Sequence, residues 1–307
     1  MQTKQIKITE NMKVSELMDQ LRQLGVLGAG RLSKASDIYT EAIKDKDTKI
    51  FLSLAGPMIP GGLRVIISDL IKLGYVDLII SSGANITHDL LEAFGGHHYK
   101  DIKNTDNELR SQGIGRIGDV YTKSNDFEIF EKEVTKLFGQ INKKYEKISI
   151  KDFLYEIGLL LNDNNSILKS AADYNVPIYA PGIIDCMLGL QLWIYTQDHE
   201  FVLDAIGDMH DLSNFVFDSP KVMAFMLGGG LPKHYTLASN ILTGGIHAGV
   251  QITMDRSEAG SLSGAPLEEA ISWSKAESDS NLVTVVGDAT VLFPLIVADT
   301  FDKLKKE

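Results

Sequence analysis

Lys49-Ile50-Phe51-Leu52-Ser53-Leu54, running into Ala55-Gly56-Pro57-Met58-Ile59-Pro60-Gly61-Gly62, decides the fold of this chain. The apolar run has strand length, the Gly/Pro cluster ends it, and Leu63–Leu73 resumes with helical spacing. The same unit follows at once: Val76–Ile80, the loop Ser81-Ser82-Gly83-Ala84-Asn85, and a predicted helix over Thr87–Phe94. Further along, Val176–Ala180 leads through Pro181–Asp185 into a helical Cys186–Tyr195, and Val222–Leu227 leads through Gly228-Gly229-Gly230 into a helix from Pro232 to about Leu242. Gly249–Met254 and Val283–Val286 are the last predicted strands, and an apolar helix containing Pro294 closes the chain. Strand, small-residue loop, helix is the unit of a parallel α/β sheet. Between these units, residues 95–150 read as irregular around a charged helix near 128–144, with helices at about 151–162, 166–175 and 199–217. Upstream, Val14, Leu17, Met18 and Leu21 form one helical stripe, and Leu32, Ala35, Ile38, Tyr39 and Ile43 another across a break expected at Gly28-Ala29-Gly30. The predicted organisation is a helical arm over 1–45 and an α/β domain over 46–307.

Composition narrows the function. The 307 residues carry 30 basic and 41 acidic side chains, a formal charge of −11, with no Lys/Arg cluster before the last few residues. That balance argues against gripping a phosphate backbone and suits cationic partners. The single cysteine, Cys186, excludes an intrachain disulfide and a thiolate zinc cluster. No apolar run approaches the roughly 20 residues that span a bilayer. The expectation is a soluble cytoplasmic protein with no nucleic-acid or membrane partner and no metal.

Chemistry is expected where the strands end, because ligands of open parallel sheets bind along that edge. Gly228-Gly229-Gly230 ahead of a helix either lets backbone N–H groups approach a phosphate or is a plain tight turn. Asp288 after the last strand, and Asp185 at the corresponding place after another, either accept from a ribose hydroxyl or cap the next helix. His234, just past the triple glycine, has a side chain suited to proton transfer, or bonds its own turn. His97 and His98 are adjacent and read as surface residues without metal-ligand spacing.

The densest chemistry lies in Gly260-Ser261-Leu262-Ser263-Gly264-Ala265-Pro266-Leu267-Glu268-Glu269-Ala270-Ile271-Ser272-Trp273-Ser274-Lys275. A small-residue loop passes Pro266 into a short helical pattern. In an ideal helix Glu269 shares a face with Trp273, and Glu268 with Ser272 and Lys275. Glu269 and Lys275 therefore face one site only if the helix ends near Trp273 or they occupy different walls. Lys275 reads either as an exposed helix-end lysine or as an amine partly out of water, ready to form an imine.

This stretch, together with Gly228-Gly229-Gly230-Leu231-Pro232-Lys233-His234, Val286–Pro294, Glu108–Gly118 and Phe51–Gly56, resembles the deoxyhypusine synthase family. The resemblance covers about residues 10–305 in the same order throughout. It implies a Rossmann-like parallel sheet with helices on both faces, an N-terminal helical arm, and a homotetramer with sites at subunit interfaces. It also implies an NAD-dependent transfer of the aminobutyl group of spermidine to a lysine of the hypusine-bearing translation initiation factor. On that resemblance Lys275 matches the imine-forming lysine and His234 the proton shuttle. Trp273 matches the aromatic wall, Glu269 an amine-holding carboxylate, and Gly260 and Ser261 the polyamine-pocket loop. The NAD positions are Gly56, Pro57, Met58, Ile59, Pro60, Ser82, Gly83, Ala84, Asp185, Gly229, Asp288 and Ala289.

The eukaryotic pattern has acids where this chain has Leu190 and Leu262, a Glu where it has His88, and Ser-Trp-Gly-Lys where it has Ser272-Trp273-Ser274-Lys275. Leu262 and the His88-Asp89 pair are closer to archaeal and bacterial members. The alternatives are transfer to a free diamine, as in homospermidine synthase, and a non-catalytic homologue that binds NAD or polyamine.

Overall fold

Ten strands form among the described residues. In the computed structural model, which describes residues 2–305, they are β1 Thr48–Leu54, β2 Leu78–Ser81, β3 Ile114–Ile117, β4 Val120–Lys123, β5 Lys147–Ser149, β6 Ile178–Tyr179, β7 Val202–Asp204, β8 Lys221–Leu227, β9 Ile246–Thr253 and β10 Ala276–Val286. Met1, Lys306 and Glu307, at the ends of the predicted arm and domain, lie outside the described residues. The chain divides into two compact units, one built from both chain ends (through Ala55, and from Leu212 onward) and the other from Gly56–Asp211. Residues of the predicted arm thus belong to the same unit as the C-terminal third of the chain.

In the two-ended unit, β10, β9, β8 and β1 lie side by side in that order, all parallel, with Thr48 opposite Lys221 and Leu54 opposite Leu227. From Ile50 to Leu54 and from Val222 to Leu227 every residue is buried, as expected of parallel strands covered on both faces. Alternate residues show both covers. Phe51 meets Phe215 of helix Ala205–Phe217 at 5.7 Å between ring centroids. Phe225, opposite Leu52 and therefore on the other face, meets Tyr39 of helix Leu27–Lys44 at 5.1 Å and Phe293 of helix Ala289–Lys305 at 5.2 Å. The fold is α/β with a parallel sheet and helices on both faces.

Helices Val14–Leu24 and Leu27–Lys44 carry the two stripes, but the break between them is at Gly25, in the left-handed conformation, and Gly28-Ala29-Gly30 lie inside the second helix instead of interrupting the pair. Arg22 of the first reaches Asp299 of the C-terminal helix at 3.0 Å, and Ser36 of the second donates to the same carboxylate at 2.6 Å.

Within Gly56–Asp211, β2 pairs with β6 and β5 with β7, both parallel, and β3 with β4 as an antiparallel hairpin. Arg64, buried, pairs with Asp89 at 2.6 Å and Asp163 at 2.7 Å. Asp89 also accepts from Ser166 Oγ and from the N–H groups of Ile167 and Leu168, so it caps helix Ile167–Asp173.

Several elements differ from the sequence reading. Residues 202–204 are strand rather than helix, because they pair with Lys147–Ser149, and the helix begins only at Ala205. Strand β10 starts at Ala276, through polar residues outside the apolar pattern. The hairpin β3–β4 occupies part of the segment read as irregular.

Candidate active site

The helical pattern after Pro266 is shorter than the sequence predicts. Pro266 sits in the preceding turn, its carbonyl accepting from Glu269 N, and the helix proper is Glu269–Ser272. Trp273 is its C-cap, and Ser274 lies in the left-handed region at φ 55°. Ser274 N donates to Ile271 O at 3.0 Å and Lys275 N to Ala270 O at 2.9 Å. This pair of bonds is a Schellman motif, with Ser274 at the position glycine usually holds. The motif turns Lys275 out of the helix, so it does not share a helical face with Glu268 and Ser272. The helix ends near Trp273, which is one of the two conditions for Glu269 and Lys275 to face one site.

Lys275 is then fixed from the far side. Its carbonyl accepts from Ile246 N, the first residue of β9, at 3.0 Å. Gly245, at φ 103°, lets that strand approach: a Cβ there would stand 2.6 Å from the Lys275 carbonyl carbon and 2.5 Å from Ala276 N. The Lys275 Nζ lies 5.6 Å from the centre of the Trp273 ring. Lys275, Trp273, Glu269, Leu262 and Lys233 line one small cavity of about 40 Å³. Gly260, left-handed at φ 64°, and Ser261 open the loop that leads there and are exposed rather than among its lining residues.

His234 lies on helix Gly230–Ser239. Partial burial and then the Lys275 charge hold its imidazole below the ordinary histidine value, so it is neutral at pH 7. The residue before it, Lys233, is 1% exposed, and its Nζ reaches Gln251 Oε1 at 2.9 Å, Leu262 O at 2.8 Å and Ala265 O at 2.7 Å. Burial pushes its ammonium down to about 8, against the Glu269 charge, which pulls it up, and with the Lys275 charge. Neither Lys233 nor Gln251 was expected from sequence. The available signal was position: Lys233 shares a helix face with buried Thr236 and Leu237, and Gln251 interrupts an apolar strand.

The triple glycine is more than a plain tight turn. A Cβ on Gly229 would stand 2.5 Å from Ser263 Cα, and Gly230 N donates to Ser263 Oγ at 2.7 Å. That helix start therefore already spends one N–H on the loop. Asp288 takes its capping role, with Oδ1 accepting from Thr290 N and Oγ1, both at 2.8 Å, and Ala289 beginning the helix.

In the other unit, Gly56 is left-handed at φ 77°, and Pro57–Pro60 lead into the irregular turn Ile59–Leu63. Asn85 Oδ1 accepts from Ile59 N at 3.2 Å while its Nδ2 donates to Ser82 Oγ, tying this loop to the next. Ser82 precedes helix Gly83–Ala93 without capping it by its side chain, and Ala84 is exposed on that first turn. Such a start leaves N–H groups for an anion. Asp185 is exposed, and the cap of helix Met187–Tyr195 is Cys186 instead. His98 is not the surface residue its sequence suggests. It bonds Glu92 at 2.7 Å and His88 at 2.9 Å, and burial, then His98, push His88 down to about 4.

A lysine projecting from a capped turn beside an indole, with a carboxylate and a neutral histidine nearby, suits amine chemistry. Comparison with known proteins agrees. The sequence profile described as deoxyhypusine synthase matches residues 16–300. The chain belongs to the deoxyhypusine synthase family. A Methanothermobacter thermautotrophicus protein named probable deoxyhypusine synthase is 57% identical, over 97% of this chain and 97% of its own. A Methanopyrus kandleri protein of the same name is 40% identical over 96% of each. A crystal structure provisionally assigned to deoxyhypusine synthase from Entamoeba histolytica superposes with a TM-score of 0.68, covering 95% of this chain and 94% of that one. At 18% identity, that likeness speaks for the fold. Deoxyhypusine synthases are aminobutyltransferases, and this chain is an enzyme of that family. Among the described residues no helix is long and apolar enough to cross a membrane.

Proposed function

We propose that the chain transfers the aminobutyl group of spermidine to a lysine of the hypusine-bearing translation initiation factor, using NAD and an imine on Lys275. The observation that carries this reading is the Schellman turn, which aims Lys275 into a cavity shared with Trp273 and Glu269. NAD would supply the acceptor for a hydride from the carbon beside the secondary amine, and its reduced form the later return. The chain's own residues do the rest. Lys275, which must give up its proton to act as a nucleophile, attacks the resulting C=N carbon, and diaminopropane leaves as the imine forms on Nζ. His234, neutral at pH 7, accepts the proton released at nitrogen. Glu269 pairs with a substrate ammonium. The factor's lysine then displaces Lys275, which leaves as a free amine.

The residues proposed to bind NAD, on the family resemblance, are Gly56–Pro60, Ser82–Ala84, Asp185, Gly229, Asp288 and Ala289. The start of helix Gly83–Ala93, uncapped by Ser82, suits a pyrophosphate. Gly260 and Ser261 are proposed to border the polyamine, and residues 1–45 to act as the family's helical arm. A cytoplasmic homotetramer completes the proposal, and Leu190, Trp193 and Ile194, exposed on one helix, suit burial against another copy.

Purified protein incubated with NAD and labelled spermidine, with the factor or with putrescine as acceptor, tests the reading. Release of diaminopropane with label on the factor supports it, and label on putrescine alone redirects it to a free-diamine transferase. Lys275→Arg is expected to abolish transfer while NAD still raises the melting temperature.

A further inference from the structure

We infer that Lys233 is a positioning residue whose ammonium bolts the Leu262–Ala265 loop in place and so shapes the wall against which the polyamine binds. The inference rests on the proposed polyamine reaction for its substrate. An ammonium has three N–H donors and no lone pair. Lys233 places Nζ within hydrogen-bond distance of three neutral oxygens: the Gln251 side chain and the Leu262 and Ala265 carbonyls. Gln251, 0% exposed on β9, completes the bolt by donating to Ser263 O at 2.8 Å and Gly228 O at 3.1 Å. Three of the four carbonyls in this stretch, which belongs to no strand or helix, thus depend on two buried side chains. The loop's other ties are short as well: Gly230 N to Ser263 Oγ, and the Gly264 backbone against Arg256, where a Cβ would stand 2.1 Å from the carbonyl oxygen.

This arrangement divides the two lysines of the cavity by task. Lys233 has every donor committed to the protein and, as an ammonium, no electron pair to offer a carbon. Lys275 faces the Trp273 ring instead. Leu262 lines the cavity and its carbonyl is held by Lys233, so the position of that wall follows directly from the bolt.

Lys233→Met removes the donors at similar length. It is expected to weaken spermidine binding at least tenfold by calorimetry and to raise the spermidine KM equally. NAD affinity should stay within twofold and kcat fall less than KM rises. Tryptic cleavage after Arg256, mapped by mass spectrometry, should accelerate at least tenfold, a readout that needs no activity. Gln251→Met, which removes half of the bolt, should show the same pattern more weakly and serves if Lys233→Met does not fold. Unchanged spermidine affinity with unchanged cleavage in a folded variant overturns the inference. So does borohydride trapping of an imine on Lys233 in a Lys275→Ala protein. Diaminopropane release that fails in the unaltered protein, with cleavage still accelerated in Lys233→Met, would refute the proposed reaction and leave the bolt standing.

Discussion

Replacing Ser274 by glycine should stabilise the protein. Ser274 occupies the left-handed C′ position of the Schellman turn at φ 55°, with its side chain exposed. The left-handed conformation costs a residue with a Cβ about 1–2 kcal/mol. Glycine removes that strain but has more freedom to lose on folding, a cost of about 0.5–1 kcal/mol. The net expectation for Ser274→Gly is a gain of about 0.5–1 kcal/mol, which corresponds to a rise of about 1–3 °C in Tm for a unit of this size. The measurement is the urea midpoint and Tm at one fixed protein concentration, since assembly would otherwise move both. Ser274→Ala, which keeps a Cβ, serves as the comparison and should gain nothing. Ser272→Gly, two residues earlier at the last helical position, should lose about 0.5 kcal/mol. Imine formation on Lys275 should be unchanged by Ser274→Gly, because the turn that aims the side chain is kept. A Ser274→Gly protein no more stable than Ser274→Ala would refute the left-handed turn and with it the stated aim of Lys275.

Gly245→Ala should be among the most damaging single changes near the site, costing about 3 kcal/mol or more by urea titration, because its methyl meets the Lys275–Ala276 backbone at a positive φ. Trp273→Ala should cost less than about 1 kcal/mol, since the residue is 65% exposed, yet lower borohydride-trapped imine at least tenfold. Asp208, 2% exposed, is raised by burial from 3.8 to about 6, against its bonds from Lys151 N–H and Ser149. The folded protein then holds a proton that the unfolded chain releases, so stability should fall by about 2–3 kcal/mol as pH rises from about 4 to 6. Asp208→Asn should flatten that limb in urea titrations across the range, and an unchanged slope would remove Asp208 as its source.

The strands that were readable in sequence are those buried on both faces. Phe51, Phe225 and their neighbours make runs that no exposed strand would carry. Strands β5 and β7 were hidden because three-residue pairs such as Ile148 with Leu203 acquire their conformation from each other, not from a local pattern. The two-unit division was equally hidden, since nothing near Ala55 or Leu212 changes in composition. At the site, Trp273, Glu269 and Lys275 drew attention by residue type, but their spacing left an exposed lysine equally open, and it is the family resemblance that groups them. The end of their helix was hidden, because serine holds the place where glycine would have announced a stop. Lys233 and Gln251 escaped for a simpler reason: a lysine reads as exposed until its neighbours on the helix face are known to be buried.

The pairing of Thr48 with Lys221 has a consequence for how the chain is made. Within its unit, β1 has β8 as its parallel neighbour, and β8 leaves the ribosome only after all of Gly56–Asp211 has been synthesised. At ordinary translation rates that delay is roughly 9–35 s. During it, Ile50–Leu54 has no strand of its own unit to pair with, while the inserted unit already has its full sequence. Phe51 and Leu52 therefore wait for their partner strand until the C-terminal third is made, and they are expected to be an apolar segment for a nascent-chain chaperone to cover in that interval.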